Sequence, residues 1–160
     1  KKAPFFAPIQ GEIFLLKGDS AQDVGRYDFL RDVQRLEKAI SERRNAIGYA
    51  ILLTNDSLYW KSSQRKTISD NFRLTEGRKI TGTLTWTAKA GKGTTKGRES
   101  PIALKGVYDC VWRDYGEFEA TECVLGDKKL QIGSSKFRYL MIKVTKIDQS
   151  VLPPTGNLRR

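Results

Sequence analysis

The run Ser20-Ala21-Gln22-Asp23-Val24-Gly25-Arg26-Tyr27-Asp28-Phe29-Leu30 constrains the fold most, because it opens a long amphipathic helix with polar groups on the face that should be buried. At ~100° per residue, Gln22, Phe29, Val33, Leu36 and Ile40 point in nearly one direction, with Arg26 close beside them. The hydrophobes demand a core. The amide and the guanidinium demand hydrogen-bond partners or a polar cavity, since each costs about 1–3 kcal/mol or more when buried unpaired. Such a helix begins at the rim of a site and ends in the core. Ser20 is its expected N-cap, Asp23 adds a weak capping-box pattern, and the helix spans about 20–44, closing on Arg43 and Arg44. Gly25 weakens the first turns by about 1 kcal/mol relative to Ala. A close backbone approach is one reason to have it there.

Directly after the helix, Ile47-Gly48-Tyr49-Ala50-Ile51-Leu52-Leu53 is apolar at nearly every position. That pattern predicts a strand buried on both faces, as in a parallel sheet, and makes the helix the second half of a β-α-β crossover whose first strand would lie near or before Lys1. The strand ends in Thr54-Asn55-Asp56. Polar groups at the carboxyl ends of such strands are where α/β sheets bind ligands, although Asn55 and Asp56 also suit a plain turn. Before the helix, Pro4, Pro8 and Gly11 punctuate an extended region, and Glu12-Ile13-Phe14-Leu15-Leu16 reads as a short strand.

The remainder is β-like. Ile80, Leu84 and Trp86 alternate with threonines; Ile102, Leu104, Tyr108, Cys110 and Trp112 form a second alternating strand; and Phe137-Arg138-Tyr139-Leu140-Met141-Ile142-Lys143-Val144 forms a third. Trp60, Trp86 and Trp112 could stack on bases, but alternating strand positions favour the core. Residues 1–150 are expected to form a single domain and 151–160 a loose tail. The chain opens at Lys1 in mid-pattern and without an initiator methionine, so it reads as a fragment of something longer.

Charge narrows the partners. Lys and Arg number 29 against 18 Asp and Glu, a formal +11 with no histidine, which favours an anionic partner, nucleic acid above all. Without histidine, imidazole triads and His-metal sites are excluded within this segment. Cys110 and Cys123 are too few for a zinc cluster and read as reduced thiols of a cytoplasmic protein. No apolar run approaches the ~18 residues that cross a membrane.

The segment Lys89-Ala90-Gly91-Lys92-Gly93-Thr94-Thr95-Lys96-Gly97-Arg98 makes a candidate phosphate-backbone contact through Lys89, Lys92, Lys96 and Arg98. It is not a Walker loop, because Gly93 follows Lys92 where Ser or Thr is required. A solvated hairpin tip is the alternative. Asp70-Asn71-Phe72-Arg73 with Glu76 and Arg78 reads first as a salt-bridged scaffold, and Arg73 and Arg78 are also possible DNA contacts. The paired carboxylates of two-metal hydrolysis have no convincing copy, since Asp70, Glu76 and Asp109 are scattered.

A Gln several residues before a Tyr, at the start of a helix that leads to a buried strand, resembles the accessory Gln motif of the PD-(D/E)XK nucleases. It looks most like the lambda-exonuclease and RecB-like branches. Ser20-Ala21-Gln22-Asp23 with Arg26-Tyr27-Asp28, Leu53-Thr54-Asn55-Asp56 with Tyr59-Trp60, and Phe72-Arg73-Leu74 with Glu76-Gly77-Arg78 are similar to a bacterial group of that superfamily. The Gly-Thr-rich basic loop and Phe137-Arg138-Tyr139-Leu140 continue the likeness over most of the chain. The resemblance implies an α/β, restriction-endonuclease-like mixed sheet, Mg2+ or Mn2+, and hydrolysis of DNA phosphodiester bonds. It also implies that the metal-binding Asp and the Glu-x-Lys strand lie upstream of Lys1. Gln22 would orient the metal-bound water or a phosphate, with Tyr27 in support at a spacing one residue longer than the usual form. Arg26 as a phosphate contact follows from its place on the helix face, not from the resemblance. A second reading, of another class, is a non-catalytic, basic, β-rich nucleic-acid-binding module; a third is a basic scaffold for an acidic protein.

Overall fold

The computed structural model describes residues 5–9, 12–16, 21–117, 123–125, 128–130 and 136–146. Ser20, the expected cap, and the tail 151–160 lie outside them. A hairpin of β1 (Phe5–Ile9) and β2 (Glu12–Leu16) precedes α1, which runs Gln22–Ser41. The helix is shorter at both ends than its sequence pattern. Ala21 occupies the N-cap position without a side-chain bond, and the charge run that follows Ser41 is a bend rather than another turn.

Phe29, Val33 and Ile40 are buried on the predicted stripe with Leu30 next to it, and Arg26 is buried with them at 8% exposure. This face packs against β3 (Ile47–Thr54), β5 (Ile102–Asp109) and β9 (Lys136–Thr145). The sheet β3–β9–β6, with β6 spanning Trp112–Glu117, is antiparallel throughout, and β4 (Lys79–Leu84) pairs antiparallel with β5. β7 (Cys123–Leu125) and β8 (Lys128–Leu130) form a small hairpin. Leu140, Ile142 and Val144 of β9 and Ile80, Ile102 and Leu104 of the β4–β5 pair close the core around the helix. The chain is thus mixed α/β, built on antiparallel sheets and one long helix.

Two expectations are corrected. Every strand pairing among the described residues is antiparallel, so β3, which pairs with β9, is not part of a parallel sheet among them. Nor is β3 buried on both faces. Ile47, Tyr49, Ile51 and Leu53 are 55%, 51%, 63% and 45% exposed, while Ala50 and Thr54 face inward with Gly48 and Leu52 between the two extremes. The reason is packing distance at the start of the strand. α1 runs so close to β3 there that a β-carbon on Gly48 would lie 2.8 Å from Ile40 Cδ1, so Gly48 and Ala50 are small and the larger Ile47, Tyr49 and Ile51 face out.

The second predicted strand is broken rather than continuous. Cys110 links the two halves of the fold: its carbonyl accepts from Gly77 N at 2.8 Å and its amide donates to Arg78 O at 2.8 Å, and the chain then passes from the β4–β5 pair into β6. Burial pushes the Cys110 thiol up to about 12, consistent with a reduced, unreactive sulfur. Among the described residues no helix is long and apolar enough to cross a membrane.

Candidate functional site

The first turn of α1 meets the carboxyl end of β3, and the polar residues of both come together. Asp56 organises the turn. Its backbone amide donates to Thr54 Oγ1 at 3.1 Å, and its Oδ1 accepts from Leu58 N at 2.9 Å, capping a 3-10 turn over Ser57–Tyr59. The other carboxylate oxygen, Oδ2, accepts from Gln22 Nε2 at 2.9 Å. Asn55 and Asp56 are both buried.

Arg26 lies one helical turn after Gln22. Its Nη2 donates to Leu58 O at 2.6 Å, and its guanidinium carbon stands 5.3 Å from the centre of the Tyr59 ring. Desolvation lowers its pKa below the ordinary guanidinium value, as does Arg73, whereas Tyr59, Asp56 and Asp23 favour the charge. Its Nε is buried without a hydrogen-bond partner among the described residues. The close approach expected at Gly25 is present: a β-carbon there would sit 2.4 Å from Tyr59 Oη. Gln22, Arg26 and Asp56, with Asn55 adjoining, therefore form one buried-to-half-buried polar cluster.

Tyr27 belongs to a different group. Its hydroxyl donates to Ser100 O at 2.9 Å, its ring stacks on Trp86 at 5.6 Å, and Phe72 meets it edge-on at 5.3 Å. Trp86 and Trp60 pack against the core from outside the strands, and Trp112, on β6, is 3% exposed within it, so all three side with the core. The indole nitrogens of Trp86 and Trp112 donate to Arg98 O at 2.7 Å and Leu74 O at 2.6 Å.

The basic segment carries a one-turn helix, α2, at Lys92–Thr95. Lys92 on it is exposed, as are Lys89 before it and Lys96 after it. Arg98 instead turns back to grip Asp28 through two bonds, Nε to Oδ1 at 2.8 Å and Nη2 to Oδ2 at 2.9 Å, and this pairing raises its pKa further. An open cleft of about 330 Å³ is lined by Asp28, Arg31, Asp32 and Arg35 of α1 and by Arg98. Arg73 and Arg78 are tied into the loop before β4. Arg73 Nε donates to Asp70 Oδ1 at 2.8 Å, and Arg78 Nη1 donates to Asp70 O at 2.8 Å and Arg73 O at 3.0 Å. Desolvation alone would raise the Asp70 pKa, but the bonds from Thr67 and Arg73 outweigh it and hold the carboxyl down at about 2.

One buried carboxylate escaped sequence reasoning. Glu37 is 7% exposed, and its carboxylate accepts from Lys105 N at 3.0 Å, Gly106 N at 2.8 Å and Tyr108 Oη at 2.7 Å. Burial and then Glu37 raise the Tyr108 pKa. The signal was available: Glu37 falls between Val33 and Ile40 on the stripe that exposed Arg26 as an anomaly.

Among the described residues no group of three or more His, Cys, Asp or Glu side chains could hold a metal ion. Asp56, the carboxylate nearest Gln22, has its oxygens engaged with Gln22 and Leu58. These residues do not by themselves fit the ion that the resemblance implies. No family model matches the chain, and no curated protein or solved structure shows significant similarity to it.

Proposed function

We propose that this chain is the accessory part of a metal-dependent, PD-(D/E)XK-type nuclease acting on DNA, with a restriction-endonuclease-like arrangement completed by residues outside those described. The observation that carries the reading is the Gln22–Asp56 contact at 2.9 Å, which ties the start of the helix to the polar end of the strand it feeds. A Gln at the start of a helix that leads to a strand is the feature on which the resemblance rests. The +11 charge and the exposed Lys89, Lys92 and Lys96 supply sequence-independent attraction for phosphates. Arg26, buried against Tyr59 and Leu58 O, braces the site from beneath. Mg2+ or Mn2+ would be held by carboxylates outside the described residues.

The test is cleavage of supercoiled and linear DNA by the full-length protein with Mg2+ or Mn2+. The expected result is cleavage that Gln22→Ala lowers about a hundredfold, as misplacement of a reacting group does. DNA left intact over a wide range of conditions overturns the enzymatic reading. The exposed lysines favour a second reading, a binding module without catalysis. It expects DNA binding that survives Gln22→Ala, whereas replacing Lys89, Lys92 and Lys96 with Ala reduces the salt slope by about 3. Binding indifferent to those lysines removes it.

A further inference from the structure

Proposed for hydrolysis, Gln22 has two conceivable tasks, orienting a water or holding a phosphate oxygen, and these need opposite ends of its amide. A water's hydrogen is met by Oε1, a phosphate oxygen by Nε2. The neighbour decides between them. We propose that Asp56 is a positioning residue that fixes the Gln22 amide, so that the chain offers Oε1, an acceptor, to a hydrogen-bond donor such as water.

A carboxylate only accepts, so the Gln22 atom 2.9 Å from Asp56 Oδ2 is the donor Nε2. Because the amide is planar, committing Nε2 to Asp56 directs Oε1 away from it. Asp56 cannot turn to release this grip without losing bonds elsewhere. Its Oδ1 caps Leu58 N, its backbone amide is held by Thr54 Oγ1, and the carbonyl of Leu58 is held in turn by Arg26 Nη2. The orientation is thus set by a chain of bonds running from β3 through the 3-10 turn to the next turn of α1. Only the catalytic consequence rests on the nuclease reading; the orientation itself does not.

The experiment follows the side-chain amide protons of the protein labelled with ¹⁵N-glutamine. The Gln22 signal is identified by its loss in Gln22→Glu, and the exposed Gln64 serves as an internal reference. Gln22 protons are expected to exchange with solvent about tenfold more slowly than those of Gln64. Asp56→Asn should abolish that difference, because the introduced amide keeps its oxygen on Leu58 N and turns its NH2 toward Gln22. Equal exchange at Gln22 and Gln64 in the unsubstituted protein overturns the proposal, as does protection that Asp56→Asn leaves unchanged. The first comparison is read in the unsubstituted protein and decides the matter even if Asp56→Asn does not fold.

Cleavage provides the second readout. Asp56→Asn should lower it about tenfold. The exchanged pair, Gln22→Glu with Asp56→Asn, should recover it by restoring an outward acceptor. Unaltered cleavage in Asp56→Asn, or no recovery in a folded exchanged pair, overturns the acceptor role. Slow exchange at Gln22 in a protein that leaves DNA intact upholds the positioning by Asp56 and overturns the nuclease reading instead.

Discussion

A β-carbon added to Gly25 would stand 2.4 Å from Tyr59 Oη and 3.6 Å from its Cζ, so the conflict is with the hydroxyl and not with the ring. Tyr59 is 6% exposed and its ring underlies Arg26, which limits how far it can retreat. Gly25→Ala should therefore destabilise the protein by about 1–3 kcal/mol, even though alanine is the better helix former. In a Tyr59→Phe background the clash is gone, and the same change should become neutral or stabilise by up to about 1 kcal/mol. Urea unfolding of the four proteins in this cycle checks both halves. A glycine in an early helical turn was visible in the sequence as a cost; the structure supplies the residue that makes it necessary. Arg26 and Gln22 were legible for a related reason, since a polar group on an apolar stripe must find a partner. Tyr27 was not. An aromatic residue beside a polar cluster reads equally well as site or core, and its bond to Ser100 joins residues far apart in sequence.

At the scale of elements, α1 is fastened to its neighbours by polar contacts at both ends of its buried stripe. Gln22 holds the end of β3, and Glu37 holds β5 through Lys105 N, Gly106 N and Tyr108 Oη. Glu37→Gln replaces one accepting oxygen with an NH2 group that faces backbone donors. The expected cost is about 1–3 kcal/mol of unfolding free energy, measured by urea denaturation, with faster amide exchange at Lys105 and Gly106. A loss within experimental error would mean that water replaces the carboxylate freely. The helix and β9 were readable from periodicity because each buries one face with ordinary side chains. β3 was misread because three of its four inward positions, Gly48, Ala50 and Thr54, are small and its outward ones large, which defeats a rule that equates apolar with buried. The break at Cys110 was hidden for another reason. Alternation continues straight through it, and only the pairing of Cys110 with Gly77 and Arg78 reveals that the chain changes sheets there.

For the molecule as a whole, composition settled the broad class and the sign of the charge but not how the strands pair. Antiparallel pairing depends on which distant segments meet, and a helix followed by an apolar strand is compatible with either direction of neighbour. The outward row Ile47, Tyr49, Ile51 and Leu53 has Met141 of β9 beside it, itself 41% exposed. This oily stripe on a molecule of charge +11 sets two forces against each other in solution. Mutual repulsion keeps copies apart in dilute buffer, but its range shrinks from ~10 Å at 0.1 M salt to ~3 Å at 1 M. Contact between stripes is not weakened in that way. Light scattering should therefore rise as sodium chloride is added, and Ile51→Lys, at the most exposed position of the row, should suppress the rise. Scattering that falls with salt would instead assign the association to charge. With association through the stripe, purification and storage at high ionic strength, the usual remedy for a basic protein contaminated with nucleic acid, would drive this one out of solution.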